Sequence, residues 1–232
     1  MSRLAVLGIA ACSALAATAN AAECLVQPVP FTAHYAVHAS RGLLALDGDA
    51  TVRFARSGND YTLTSSMNAA GLLSSRQESR GALSDAGLVP VRYSETASRR
   101  ATMSLSIDWR ERRVTFADGT EASAKAALQD RASLMVQLAL AARAQPQAQM
   151  LEFQVAGLRR ISTYKFVRRG SERLELPAGT IDAERFERID EHEDDHFDVW
   201  LAPAHCGFPV RIRLRDHRGH DIDQRLRELR YD

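Results

Sequence analysis

The pentapeptide His192-Glu193-Asp194-Asp195-His196 has the spacing of a zinc-protease centre. In that chemistry two histidines one helical turn apart hold the metal, and the glutamate between them acts as base toward the metal-bound water. The flanking residues argue against a helix. Thr180–Asp190 has strand character on one side, and Phe197, Val199 and Leu201 alternate on the other. Two aspartates in the intervening positions add charge where a metal-binding helix is normally apolar. The segment reads as a charged hairpin tip, and no metal site is expected. The remaining histidines are dispersed. His34 and His38 share side-chain parity on a strand, which puts them about 13 Å apart and out of reach of one ion. His205 adjoins Cys206, and His217 and His220 flank a turn.

Nucleophilic chemistry has no firmer foothold. The chain has no G-x-S-x-G elbow and no Walker-type glycine loop. Ser74, Ser75 and Ser133 carry no local sign of activation. Asp130, three residues before Ser133, suits the N-cap of a helix better than the acid of a triad. No catalytic residue and no cofactor is expected.

Three cysteines raise a different chemistry. Met1–Ala21 has the form of a secretory signal peptide: Arg3, an uncharged apolar run Leu4–Ala17, then Ala19-Asn20-Ala21 as a cleavage site before Ala22. The apolar run is shorter than the ~20 residues of a membrane span, and nothing later in the chain supplies one. Ile9-Ala10-Ala11-Cys12 resembles a lipobox, and lipidation at Cys12 is the minor alternative. It explains only half of the apolar run. Cleavage leaves Cys24 and Cys206, which in an oxidising compartment are expected to form a disulfide. It also removes one cation, so the 30 basic residues fall to the 29 of the acidic ones. A neutral chain offers no basic field for nucleic acid. The expected location is periplasmic or otherwise exported.

The elements that must position any site are mostly strands. Phe31, Ala33, Tyr35 and Val37 alternate with polar residues. Leu44–Ala55 follows, with Gly48 as a bulge or bend, then Tyr61–Ala69, Leu72–Leu83, Leu88–Ala97 and Thr102–Trp109. After the helix come Met150–Ala156, Ser162–Arg169, Arg173–Leu176, Thr180–Asp190, Phe197–Leu201, Pro209–His217 and Asp221–Tyr231. Turns are expected at Arg169-Gly170-Ser171, Pro177-Ala178-Gly179 and Arg218-Gly219-His220. Val210, Ile212 and Leu214 alternate with Arg211, Arg213 and Arg215, which predicts one buried and one wet face. One helix, about 130–145, is apolar on most faces and therefore asks to be enclosed. Consecutive strands joined by short turns predict a long antiparallel meander. The expected fold is mostly β: a curled sheet or incomplete barrel around one main apolar helix, forming a single domain over 22–232.

Several segments together resemble the family called domain of unknown function 3108, exported bacterial proteins. They are Pro30-Phe31 with the Tyr35 strand, Gly87-Leu88-Val89-Pro90-Val91-Arg92-Tyr93, and Asp130-Arg131-Ala132-Ser133. Tyr164-Lys165-Phe166, Pro177-Ala178-Gly179, and Trp200-Leu201-Ala202-Pro203 followed by Pro209-Val210-Arg211-Ile212 complete the set. The similarity spans roughly 30–230. The resemblance implies a fold similar to periplasmic lipoprotein carriers, an incomplete barrel over an apolar cavity, and it supplies no catalytic residues.

The reading that follows is a non-enzymatic binding or carrier-like protein for an apolar or amphipathic, lipid-like ligand. Leu134, Met135 and Leu138 are expected to line the cavity, with Trp200 as a further candidate. The alternatives are a structural or interaction module of envelope assembly, with a filled core and an envelope protein partner, and, more weakly, an envelope hydrolase.

Overall fold

The computed structural model describes residues 28–98, 100–189 and 196–232. Met1–Ala21, expected to be a signal peptide, Cys12, Cys24 and the first four residues of the His192–His196 motif lie outside the described residues.

Period-two alternation builds the sheet. In β1 (Phe31–Arg41), Phe31, Ala33, Tyr35, Val37 and Ala39 are buried and the intervening residues are not. The same logic extends through β2 (Leu44–Ser57), β3 (Asp60–Ala69), β4 (Leu73–Ser84), β5 (Gly87–Ala97), β6 (Met103–Asp108), β7 (Arg113–Thr115) and β8 (Glu121–Ser123). This first meander is followed by a two-residue strand, β9 (Gln129–Asp130), and the helix α1 (Ser133–Ala144). A second meander comprises β10 (Met150–Ala156), β11 (Ile161–Leu176), β12 (Gly179–Ile189), β13 (His196–Ala202), β14 (Phe208–Arg215) and β15 (His220–Tyr231).

The fifteen strands among the described residues form one sheet in the order β8-β7-β6-β5-β4-β3-β2-β1-β15-β14-β13-β12-β11-β10-β9. The two meanders meet where β1 pairs with β15. Pairing is antiparallel except between β9 and β10. The sheet curls without closing, and hydrogen bonds from side chains and backbone tie its two halves together across the gap. Gln129 donates from Nε2 to the Leu88 carbonyl at 2.9 Å. Gln137 accepts the Leu88 N–H at 2.9 Å and donates to the Ala86 carbonyl at 2.8 Å. The Ala117 N–H reaches the Leu158 carbonyl at 3.3 Å.

Helix α1 lies in the concavity and has apolar contacts on both sides. Val136 belongs to a cluster with Phe31, Phe54 and Phe208. Leu134, Leu138, Ala139 and Ala142 belong to another with Phe153, Phe166, Phe186 and Val199. Burial of each large side chain stabilises the fold by about 1.5–3 kcal/mol. The helix start is fixed reciprocally. Asp130 Oδ1 accepts the N–H groups of Ala132 and Ser133 at 2.9 and 2.8 Å, while Ser133 Oγ accepts the Asp130 N–H at 2.9 Å. This is capping-box logic with serine in the returning role.

Three local expectations are corrected. Gly170 is a bulge, not a turn: β11 is one 16-residue strand whose pairing with β12 shifts between Arg168 and Gly170. Glycine accepts the positive φ of 109° there. Gly48 is not a bulge: it pairs regularly with Val37 and Ala69. A Cβ at Gly48 would sit 2.0 Å from the Asn68 carbonyl oxygen, so close backbone approach excludes other residues. The short strands β7, β8 and β9 were too brief to show a period. The outer arginine face of β14 is also less wet than expected, because Arg211 and Arg213 form bidentate pairs with Asp223 and Asp221.

Candidate binding cavity

The helix does not fill the barrel. A cavity of about 430 Å³ lies between its first turn and the sheet, within the range of about 300–1,000 Å³ that small-molecule sites occupy. Its walls come from both meanders. Phe31, Tyr35, Val52 and Leu63 contribute from β1–β3; Phe197, Ile212 and Leu214 from β13 and β14; Ala132, Leu134, Met135 and Val136 from the helix and its start. Alternation explains the apolar wall, since all the strand residues named have inward parity.

Polar groups are few. Ser65, Gln77 and Gln224 line the cavity, as do Tyr164 and two arginines, Arg131 and Arg188. The Arg188 guanidinium stacks over the Tyr164 ring at 4.4 Å and the Phe197 ring at 5.2 Å. Such contacts let a cation sit in an aromatic wall without full hydration. Arg131 is half-exposed and lies 3.5 Å from Glu95, which also accepts the Tyr93 hydroxyl at 2.8 Å.

The cavity has a closed and an open end. Phe31, Phe208 and Leu63 are buried, whereas Leu214, Gln224 and Ser65, farther along their strands, are half-exposed. Antiparallel pairing places the β1–β2, β3–β4 and β14–β15 turns together at that open end.

Of the residues singled out from sequence, Leu134 and Met135 line the cavity. Leu138 is fully buried in the cluster behind it. Trp200 is buried on the other side of the sheet from Phe197 and Val199. Its indole donates to Glu172 at 2.8 Å, and Arg211 stacks on it at 4.6 Å. Parity separates them: Trp200 alternates with Val199, which shares the inner face with Phe197. The sequence reading missed Arg131, Tyr164 and Arg188. Arg131 had one available signal, its place directly after the capping Asp130.

Below the cavity, Asp130 is completely buried. Ser79 donates to its Oδ2 at 2.5 Å, and the Tyr61 hydroxyl lies 2.9 Å from Ser79 Oγ. Burial pushes the Asp130 carboxyl up to about 6, against the hydrogen bonds from Ser133, Ser79 and Ala132, which favour the anion. Burial first, and the Asp130 charge second, also push the Tyr61 hydroxyl upward. Ser133 therefore has an acid beside it, and that acid is engaged in capping. The histidines are elsewhere: His34 lies 3.2 Å from Thr51, His38 2.7 Å from Asp47, His196 3.6 Å from Glu187 and His220 2.8 Å from Asp216. Among the described residues no group of three or more histidine, cysteine, aspartate or glutamate side chains is placed to hold a metal ion.

Cys206 takes a left-handed φ of 58° after the short 3-10 turn Pro203–His205, and Arg143 donates to its carbonyl at 2.8 Å. Pro28, Val29 and Cys206 line one small pocket of about 50 Å³. The described chain thus begins beside Cys206.

The fold and cavity define a class: among the described residues, a curled, barrel-like sheet around one internal helix, with a mostly apolar cavity open at one end. The chain belongs to the DUF3108 family, proteins of unknown function, whose model matches residues 31–225. Among solved structures it is similar to a beta-barrel-like protein of the DUF1849 family from Brucella abortus, with 12% identity and a TM-score of 0.59. That match covers 89% of this chain and 99% of the other. A DUF1329 family protein from Desulfovibrio piger aligns at 11% identity and a TM-score of 0.31, covering 92% of this chain and 90% of the other. A putative outer membrane lipoprotein-sorting protein domain from Vibrio parahaemolyticus aligns at 8% identity and a TM-score of 0.28, with the same coverages. No protein with a curated description matches the chain.

Proposed function

We propose that the protein is an exported binding protein that carries one apolar or amphipathic, lipid-like ligand in the cavity beside α1. The observation that carries this reading is the cavity itself: about 430 Å³ lined by Phe31, Val52, Leu134, Met135 and Ile212, open at one end. Burying an apolar chain there is favourable by about 25 cal/mol per Å² of apolar surface removed from water. A wall set by rigid strands costs little to organise on binding. Arg131 and Arg188 make the polar part of the lining cationic. The filled-core alternative asks side chains to occupy this volume.

Export rests on Met1–Ala21. Among the described residues no helix is long and apolar enough to cross a membrane. A Cys24–Cys206 disulfide fits the same compartment. Pro28 follows Cys24 by four residue steps, a reach of roughly 14 Å, and Pro28 shares a pocket with Cys206.

Native mass spectrometry of protein purified from the periplasm tests the reading. A lipid-sized adduct, released by organic extraction, is expected. Ligand-free protein that also fails to take up a fluorescent fatty acid would end it.

A further inference from the structure

We propose that the two turns at the cavity's open end insert leucines into a lipid bilayer and so set the opening against the membrane surface. The β1–β2 turn carries Gly42-Leu43-Leu44, and the β3–β4 turn carries Gly71-Leu72-Leu73. Leu43 is fully exposed, Leu44 59% and Leu72 64%. They are the three most exposed large apolar side chains on the described surface. The comparable Gly87-Leu88 turn at the opposite end buries Leu88 to 3%, so leucine after a turn glycine is not exposed by necessity in this fold.

The register places both turns at one end. Arg41 pairs with Leu44 at the close of the first hairpin, and Ala69 pairs with Leu73 at the close of the second. The strands between them, β2 and β3, are adjacent. The same end holds the half-exposed cavity residues Leu214, Gln224 and Ser65.

A bilayer fits these features better than a protein groove. The leucines stand on two separate turns, which a fluid apolar phase accepts without a shaped partner surface. Cations flank them: Arg41 and Arg100 are exposed at this end on the same half of the sheet. The acids nearby are engaged, Asp47 with His38 and Asp49 with Arg227, each at 2.7 Å. Anionic headgroups are therefore expected on the leucine-bearing half. The role given to the opening rests on the proposed ligand cavity; the docking itself does not.

Flotation with vesicles of phosphatidylethanolamine and phosphatidylglycerol tests the proposal. The wild-type protein should float with the vesicles. The triple variant Leu43→Ser, Leu44→Ser, Leu72→Ser should bind at least ~10-fold more weakly, while its melting temperature and fatty-acid uptake stay unchanged. In Leu43→Trp the indole fluorescence should shift to the blue on vesicle addition. A wild-type protein that does not float, or a triple variant that floats equally well, overturns the proposal. The cavity variant Met135→Trp should float normally and lose uptake, which keeps failure of docking distinct from failure of the cavity.

Discussion

Ser79 on β4 donates to the buried Asp130 at 2.5 Å, tying the first meander to the turn that starts the helix. The same carboxylate caps that helix through Ala132 and Ser133. One side chain therefore holds the helix at the mouth of the seam, and the cavity's inner wall depends on it.

Asp130 makes stability depend on pH. Its carboxyl is raised in the fold from 3.8 to about 6, so the native state binds a proton that the unfolded state has released between those values. Its stabilising contribution is complete below pH 3.8 and is lost as pH rises through about 6, a loss of about 3 kcal/mol. Thermal melts should show the wild type losing stability from pH 5 to 7.5. Asp130→Asn, which keeps the capping oxygen, should lose that dependence. An identical pH profile for both proteins would exclude the assignment.

Asp223 acts in the opposite direction. Burial raises its carboxyl, but hydrogen bonds from Arg211 and Arg225 outweigh burial and hold it below the usual range. That contribution is present above pH 3.8 and disappears as pH falls through the lowered value. Asp223→Ala leaves Arg211 without its bidentate partner and should cost about 3 kcal/mol in denaturant titrations at pH 7. A loss below 1 kcal/mol would mean the pair is merely a surface bridge.

Much of the architecture was legible in residues such as Phe31, Tyr35 and Val37, because a half-buried strand writes its period into the sequence. The helix was legible from Leu134 to Ala142 because enclosure requires apolar residues on several faces. The cavity was less so. Leu134 and Met135 point into it and Leu138 does not, a difference set by how the helix rotates against two clusters. Arg188 and Tyr164 are neighbours only because β11 and β12 pair, with Lys165 opposite Ile189. Sequence alone carries no record of that register. Trp200 was misplaced inward because hydrophobicity suggests burial and does not say on which side of a sheet.

The Cys24–Cys206 bond should be present in protein from an oxidising compartment. Under non-reducing conditions a tryptic map should contain the linked peptide pair, and Cys206→Ser should lower stability by up to about 4–5 kcal/mol. Quantitative alkylation of both thiols without reduction would refute the link.

The cavity is tested most directly by filling it. Met135 is half-exposed on the helix and lines the cavity, so Met135→Trp adds volume where a ligand would lie while sparing the buried core behind it. The measurement is fluorescent fatty-acid titration of wild type and variant at matched folding, checked by circular dichroism. Saturable binding by the wild type and at least ~10-fold weaker binding by Met135→Trp is predicted. Equal binding by the two proteins, or none by either, would contradict the account.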